Sequence, residues 1–290
     1  MLPFKLRNLH NRNSIFKIPN IIIAKIDNKE NMRILITGSS GLIGKILFKS
    51  LINHELSGLD KFEFDNNKSF HGDITDIDSI LPFFENTDVV IHLAANPNSN
   101  ADWKSVSDTN LLGTYNVFEA SRLSKCKRVI FASSNHVVGM YELVKPYSSI
   151  VAGNYNNLSP GSYSLVDHKV SIRPDGHYGI SKQYGESLGR FYFDKFGIEF
   201  ACIRIGSVNT SNSPLVGVRQ FATWCSYRDI SQLIQKCIDI EKLGFQIFYG
   251  VSNNSWRFWD INHARSTIGY DPQDNAEIYR TQFEKLKSPS

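Results

Sequence analysis

The stretch that most constrains this chain lies between Arg33 and Gly44. Arg33 to Thr37 has the apolar, β-prone character of a buried strand. Gly38, Ser39, Ser40, Gly41, Leu42, Ile43 and Gly44 follow without a break, with glycines at spacings of three and three, and a helical pattern begins at once. The first glycine permits a tight turn, the second lets the backbone approach a pyrophosphate, and the third lets the helix pack close to the strand. The helix start then offers unpaired N–H groups and the positive end of its dipole to an anion. A glycine triplet alone also fits an ordinary tight turn. Asp60 adds the context: it ends the second strand pattern, 22 residues after Gly38, where an acid holds the ribose hydroxyls of an adenine dinucleotide. A carboxylate there favours NAD and repels the 2′-phosphate of NADP, with some room for dual use. Asp73, in Gly72-Asp73-Ile74, is placed to meet the adenine edge or to be a surface acid.

The rest of the chain supports the same fold class. Strand patterns at Arg33 to Thr37, Glu55 to Leu59, Asp88 to Leu93, Arg128 to Ser133, Glu199 to Ile205 and Gln246 to Tyr249 alternate with helical patterns. The helices are predicted over Leu42 to His54, Trp103 to Leu123, Tyr178 to Phe196 and Asp229 to Glu241. This βαβα alternation predicts an α/β fold, a Rossmann-type doubly wound parallel sheet with helices on both faces and a small C-terminal substrate-binding region. Residues 142–176, rich in Tyr, Ser, Asn, Gly and Pro, break the rhythm and read as a lid or wall beside the site. The expected domain spans residues 32–290, with substrate-binding parts at about 140–176 and 207–290.

Charge is concentrated in the leader. Residues 1–31 hold six Lys and Arg against Asp27 and Glu30, a surplus equal to the +4 of the whole 290-residue chain, so residues 32–290 are formally neutral. A neutral body gives no support for nucleic-acid binding. The basic leader reads as an upstream extension preceding a start at Met32, a disordered tail, or a weak targeting segment; its apolar run, Ile21 to Ala24, is too short for a secretory signal. No run is long and apolar enough for a membrane span. The four cysteines form no CxxC pair and read as buried thiols in a reducing, cytoplasmic compartment. The eight histidines show no HExxH or close His/Cys spacing, so no metal site is expected. The four tryptophans read as core or interface residues, and His92 as a satisfied core histidine.

Tyr178 and Lys182 are four apart on a predicted helix and share one face. Near an ammonium and a cationic nicotinamide ring, a tyrosine hydroxyl is driven toward the phenolate and can take a proton from a substrate hydroxyl. Together with Gly38-x-x-Gly41-x-x-Gly44, Asn110 in Asn110-Leu111-Leu112-Gly113-Thr114, and Ser133-Ser134, this pair makes residues 32–270 resemble the extended short-chain dehydrogenase/reductase family. The resemblance implies that Ser134 orients the substrate hydroxyl, that Asn110 supports a water relay to Lys182, and that Lys182 also holds the nicotinamide ribose. It also implies cofactor contacts at Gly38, Ser40, Gly41, Leu42, Ile43, Gly44, Asp60, Asp73, Ile74, Leu93, Ala94 and Ala95. Family enzymes commonly associate through the two long helices, so a homo-oligomer is expected.

A finer resemblance, to uronate dehydrogenases, runs through Phe131 to Gly139, Arg173-Pro174-Asp175-Gly176-x-Tyr178-Gly179, Arg204 to Ser207, and Tyr249 to Asn254 followed by Gly269 to Asn275. It implies oxidation at C1 of a hexuronic acid to a lactone, with Asn135, His136 and Ser207 on sugar hydroxyls and Arg219 clamping the carboxylate through its guanidinium fork. Pro97, the long segment between Gly139 and Arg173, and the run Trp224 to Asp229 are closer to archaeal NAD-dependent glucose-6-phosphate dehydrogenases. There Arg219 would serve a phosphate, so the partner is a sugar acid or a sugar phosphate. Nucleotide-sugar epimerases and dehydratases share the turn and the Tyr/Lys pair but need a larger C-terminal domain than the 108 residues that follow Lys182. An NAD-sensing module without chemistry would usually have lost that pair.

Overall fold

The computed structural model describes residues 31–62 and 68–287. The readings of the basic leader fall on residues 1–30, outside the described residues.

Seven strands form one sheet: β1 (Arg33–Thr37), β2 (Glu55–Asp60), β3 (Ser69–His71), β4 (Val89–His92), β5 (Arg128–Ser134), β6 (Glu199–Ile205) and β7 (Phe245–Gly250). Their spatial order is β3-β2-β1-β4-β5-β6-β7, and every neighbouring pair is parallel. The order reverses between β1 and β4, which is where a doubly wound sheet opens a crevice above its strand C-termini. The longest helices are α1 (Leu42–Ser50), α2 (Gly113–Leu123), α3 (His177–Phe196) and α4 (Tyr227–Asp239).

Period-two alternation decides which helix covers which face. Ile34 and Ile36 of β1 point to the side occupied by Leu47 of α1 and Ile230 and Leu233 of α4. Leu35 points the other way, with Val90 and Val129, toward Val117 and Phe118 of α2 and Tyr192 of α3. Each such fully buried side chain contributes ~1.5–3 kcal/mol of transfer free energy. Trp224 and Trp259 are fully buried and Trp256 nearly so, while Trp103 is about half exposed. The four cysteines are buried and unpaired. No helix among the described residues is long and apolar enough to cross a membrane.

Three departures from the sequence reading have local causes. The short edge strand β3 was not predicted: three half-exposed residues carry no usable periodicity. The single helix expected over Trp103 to Leu123 is a short α-helix, Trp103–Val106, then a π-helical turn, Ser107–Leu112, then α2. Among the described residues, the lid or wall expected over 142–176 contributes no lining residue to the main cleft, but its Glu142 and Asp175 hold Arg219 and His136, which do line it. The segment instead folds onto the core: Ile150 and Val166 are buried, Tyr147, Tyr155, Leu158 and Tyr163 pack beside them, and Val166 bridges to Trp259. Its apolar residues are spaced irregularly, so the sequence hides a packed segment behind an aperiodic one.

Candidate functional site

A cleft of about 700 Å³ opens above the strand C-termini. Its first end is the turn after β1. Gly38 has φ +75°, and a Cβ there would lie 2.6 Å from the Ala94 nitrogen; a Cβ on Gly44 would lie 2.5 Å from the Ser39 carbonyl oxygen. The turn is therefore closed to side chains on both sides. Gly41 caps α1 without any side-chain hydrogen bond, and no acid stands in the first turn of the helix, so its leading N–H groups face the cleft unneutralised. Asp60 Oδ2 accepts from the Ser40 N–H (2.9 Å) and hydroxyl (2.7 Å), so the acid also pins the turn. Asp73 accepts from the Thr75 N–H and hydroxyl, both at 2.9 Å, and those bonds hold its carboxyl below the usual range. With Ile74, Leu93, Ala94 and Ala95 along the same wall, these residues fit an adenine dinucleotide laid across the sheet.

The middle of the cleft holds the Tyr/Lys pair. Tyr178 and Lys182 face it from the first turns of α3, and Ser134 faces it from the end of β5. Burial pushes Tyr178 up to about 12, opposed by the neighbouring Ser134 side chain, and pushes Lys182 down to about 7. The expectation that an ammonium and a cationic nicotinamide ring together favour the phenolate concerns the NAD-bound site. The Lys182 ammonium is destabilised by its own burial, and Nζ stands 5.6 Å from the centre of the Tyr178 ring and 5.0 Å from that of Phe131.

Asn110 is the one expected site residue that the structure keeps off the cleft wall. It is buried on the π-helical turn. Its amide nitrogen donates to the Asn96 carbonyl (3.2 Å) and Ser181 Oγ (3.1 Å), and its oxygen accepts from the Asn96 N–H (2.7 Å). It ties the loop after β4 to α3, one residue before Lys182. His92 is likewise internal: it bridges Thr37 (2.7 Å) and Thr114 (3.2 Å), and burial lowers it to about 3.

The far end of the cleft gathers Asn135, His136, Ser207 and Arg219, all on its wall. His136 holds Asp175 through Nδ1 at 2.8 Å and stands edge-on to Tyr178, with ring centres 5.6 Å apart. Arg219 is not a free fork. Its Nε and Nη2 donate to the two carboxylate oxygens of Glu142, both at 2.6 Å. Its Nη1 reaches Ser207 Oγ (3.2 Å) and Thr223 Oγ1 (3.5 Å), and Nη2 also donates to the Asn135 amide oxygen (2.8 Å), while the Asn135 amide nitrogen donates to the Ile205 carbonyl. Glu142 has no motif that marks it in the sequence. Asp175 belongs to the Arg173-to-Gly179 motif, which by itself gives it no role.

A buried ion pair braces this constellation from behind. Arg204 of β6 donates from Nε and Nη2 to the two oxygens of Glu186 on α3, both at 2.9 Å, and from Nη1 to Tyr249 (3.1 Å). Ser133 donates to the same Glu186 at 2.6 Å. The pair is 1% and 4% exposed. Glu186 lies one helical turn beyond Lys182, Ser133 precedes Ser134, and Arg204 lies three residues before Ser207, so one network fixes three walls of the cleft.

A family model described as "NAD dependent epimerase/dehydratase family" matches residues 34–243. The chain belongs to the NAD-dependent epimerase/dehydratase family. Among its relatives, a uronate dehydrogenase of Pseudomonas syringae pv. tomato is 32% identical over 265 residues, covering 89% of this chain and 88% of the relative. An NAD-dependent glucose-6-phosphate dehydrogenase of Haloferax volcanii is 32% identical over 263 residues, covering 87% and 97%. A solved uronate dehydrogenase of Agrobacterium tumefaciens, a mutant complexed with NAD, is 29% identical with a TM-score of 0.74, covering 90% of this chain and 92% of that one. Within this family the cofactor is NAD, and the residues of the first half of the cleft fit it.

Proposed function

We propose that this NAD-dependent enzyme oxidises the C1 hydroxyl of a sugar ring to a lactone. The observation that carries the reading is the convergence of Ser134, Tyr178 and buried Lys182 on the cleft wall, between the glycine-rich turn and a cluster of polar side chains. The glycine-rich turn, Asp60, Asp73 and Lys182 would hold NAD, which supplies the hydride acceptor. Ser134 Oγ orients the C1 hydroxyl, and Tyr178 Oη, as the phenolate that the cationic nicotinamide ring of bound NAD would favour, takes its proton. Lys182 sets the charge beside the phenol, and Asn110 positions α3 through Ser181. Asn135, His136 and Ser207 are the groups offered to ring hydroxyls. The uronate and glucose-6-phosphate dehydrogenases among the relatives support sugar oxidation. The four buried free thiols suit a reducing, cytoplasmic compartment.

The test is NADH production by the purified chain with glucuronate, galacturonate, glucose 6-phosphate and glucose in parallel, each with NAD and with NADP. Reduction of NAD by at least one of these sugars is expected. Silence on all four, with NAD retained through purification, would move the chain to the nucleotide-sugar epimerases and dehydratases, which return the hydride internally.

The proposal extends to assembly. Leu112 and Tyr115 on one long helical stretch and Ile180 and Phe191 on α3 are large, apolar and exposed, which supports a homo-oligomer joined through those helices. Light scattering of the purified chain tests this, and a monomer at micromolar concentration contradicts it.

A further inference from the structure

We infer that Glu142 is a specificity-determining residue: by holding Arg219 it neutralises the cation at the substrate end of the cleft and turns the site toward uncharged sugars. This deepens the reading of the site as a C1 sugar dehydrogenase and rests on it. Arg219 is the cation on that part of the wall, and an anionic C6 group needs at least part of its fork. Every donor direction of the guanidinium is already used: Nε and Nη2 on Glu142 at 2.6 Å each, Nη2 also on Asn135, and Nη1 on Ser207 and Thr223. The pair is partly shielded, with side chains 35% and 14% exposed for Arg219 and Glu142, so water screens it less than it would a surface pair.

A carboxylate or phosphate entering here would have to displace Glu142 and then remain beside it as a like charge. A second acid strengthens the bias, because Asp175 stands behind His136, 2.8 Å from its Nδ1. The side chains Arg219, Glu142, Asp175 and His136 therefore place no unpaired positive charge at that end. A neutral ring meets no such obstacle. Its hydroxyls can exchange hydrogen bonds with Ser207, Asn135 and His136 without separating an ion pair.

The experiment measures binding and turnover separately. Dissociation constants for galacturonate, glucose 6-phosphate and L-arabinose are determined by calorimetry on the NADH-loaded protein, where no oxidation can occur. NAD reduction with the same sugars is followed alongside. In the wild type L-arabinose is expected to bind at least as tightly as either anion. Glu142→Gln should shift the anion-to-arabinose affinity ratio at least tenfold toward the anions, which is ~1.4 kcal/mol. Glu142→Ala should shift it the same way, which guards against a folding defect peculiar to one variant. The double variant Glu142→Gln/Arg219→Gln should return the ratio to near the wild-type value, since the released cation is gone. Wild-type protein that binds galacturonate or glucose 6-phosphate tenfold tighter than L-arabinose, or a ratio that Glu142→Gln leaves unmoved, overturns the inference. If the ratio shifts as expected while no sugar reduces NAD, the dehydrogenase reading falls and the selectivity assigned to Glu142 stands.

Discussion

At its cofactor end the cleft is lined largely by backbone and by two acids on the ends of adjacent strands. At its substrate end it is lined by side chains that arrive already paired: Arg219 with Glu142, His136 with Asp175, Ser207 with Thr223. The first end presents a conformation, the positive-φ turn at Gly38 and the uncapped start of α1. The second presents a charge balance that a ligand would either accept or break. A turn is hard to retune by substitution, whereas a paired charge changes sign with one residue.

The largest effect that would sharpen this comparison lies between the two ends. Tyr178→Phe should lower kcat by about 10²–10⁴-fold while NADH affinity, read by fluorescence titration, stays within a few-fold of wild type. Near-normal turnover would remove Tyr178 from the chemistry. Next comes the brace that both ends share. Arg204→Met leaves buried Glu186 with no cation and only the Ser133 hydroxyl, and should cost ~3–5 kcal/mol in urea unfolding. A loss under ~1 kcal/mol would show that the network is not what fixes α3 against β5 and β6.

Lys182 gives a third effect, with a pH signature. Its value is lowered to about 7 from an ordinary 10.5, so between those two values the unfolded chain binds the proton that the folded chain has lost. Stability therefore rises with pH across that window. Lys182→Met removes this slope. The variant should unfold at higher urea than wild type at pH 7, by a few kcal/mol at most, and converge with it toward pH 10, where only the opposite contribution of Tyr178 begins. Parallel stability curves would contradict the buried, destabilised ammonium. The smallest effect belongs to the cofactor end. Asp60→Ala should weaken NADH binding about tenfold, or ~1.4 kcal/mol, and narrow the discrimination against NADPH, both read by fluorescence titration. Unchanged discrimination would leave Asp60 only its bond to Ser40.

The same contrast explains what could be read from the sequence. The glycine turn, the strands β1, β2, β4, β5, β6 and β7, and the placement of Tyr178 and Lys182 on one helix face all follow from short-range spacing, and the structure shows each of them. β3 escaped because three residues carry no pattern. The π-helical turn at Ser107–Leu112 escaped because its bonds run from Asn110 to Asn96 and Ser181, which no helical periodicity encodes. The packing of residues 142–176 was hidden by irregular spacing of its apolar side chains. At the substrate end, Arg219 and His136 could be singled out from motifs, but their partners could not. Glu142 lies 77 residues from Arg219 and Asp175 lies 39 from His136, and only the folded chain brings those charges together. Arg204 opens the motif Arg204 to Ser207, but Glu186 lies in no motif, and burial turns the two into a brace.

The central claim, that hydride leaves C1 of a sugar under Tyr178, is tested most directly by supplying the purified chain with NAD and an aldose carrying deuterium only at C1, then analysing both products by NMR. The account predicts deuterated NADH and an undeuterated lactone in equal amounts, with both formed about 10²–10⁴-fold more slowly in Tyr178→Phe. Undeuterated NADH, or recovery of an epimerised sugar with no net NAD reduction, would contradict it.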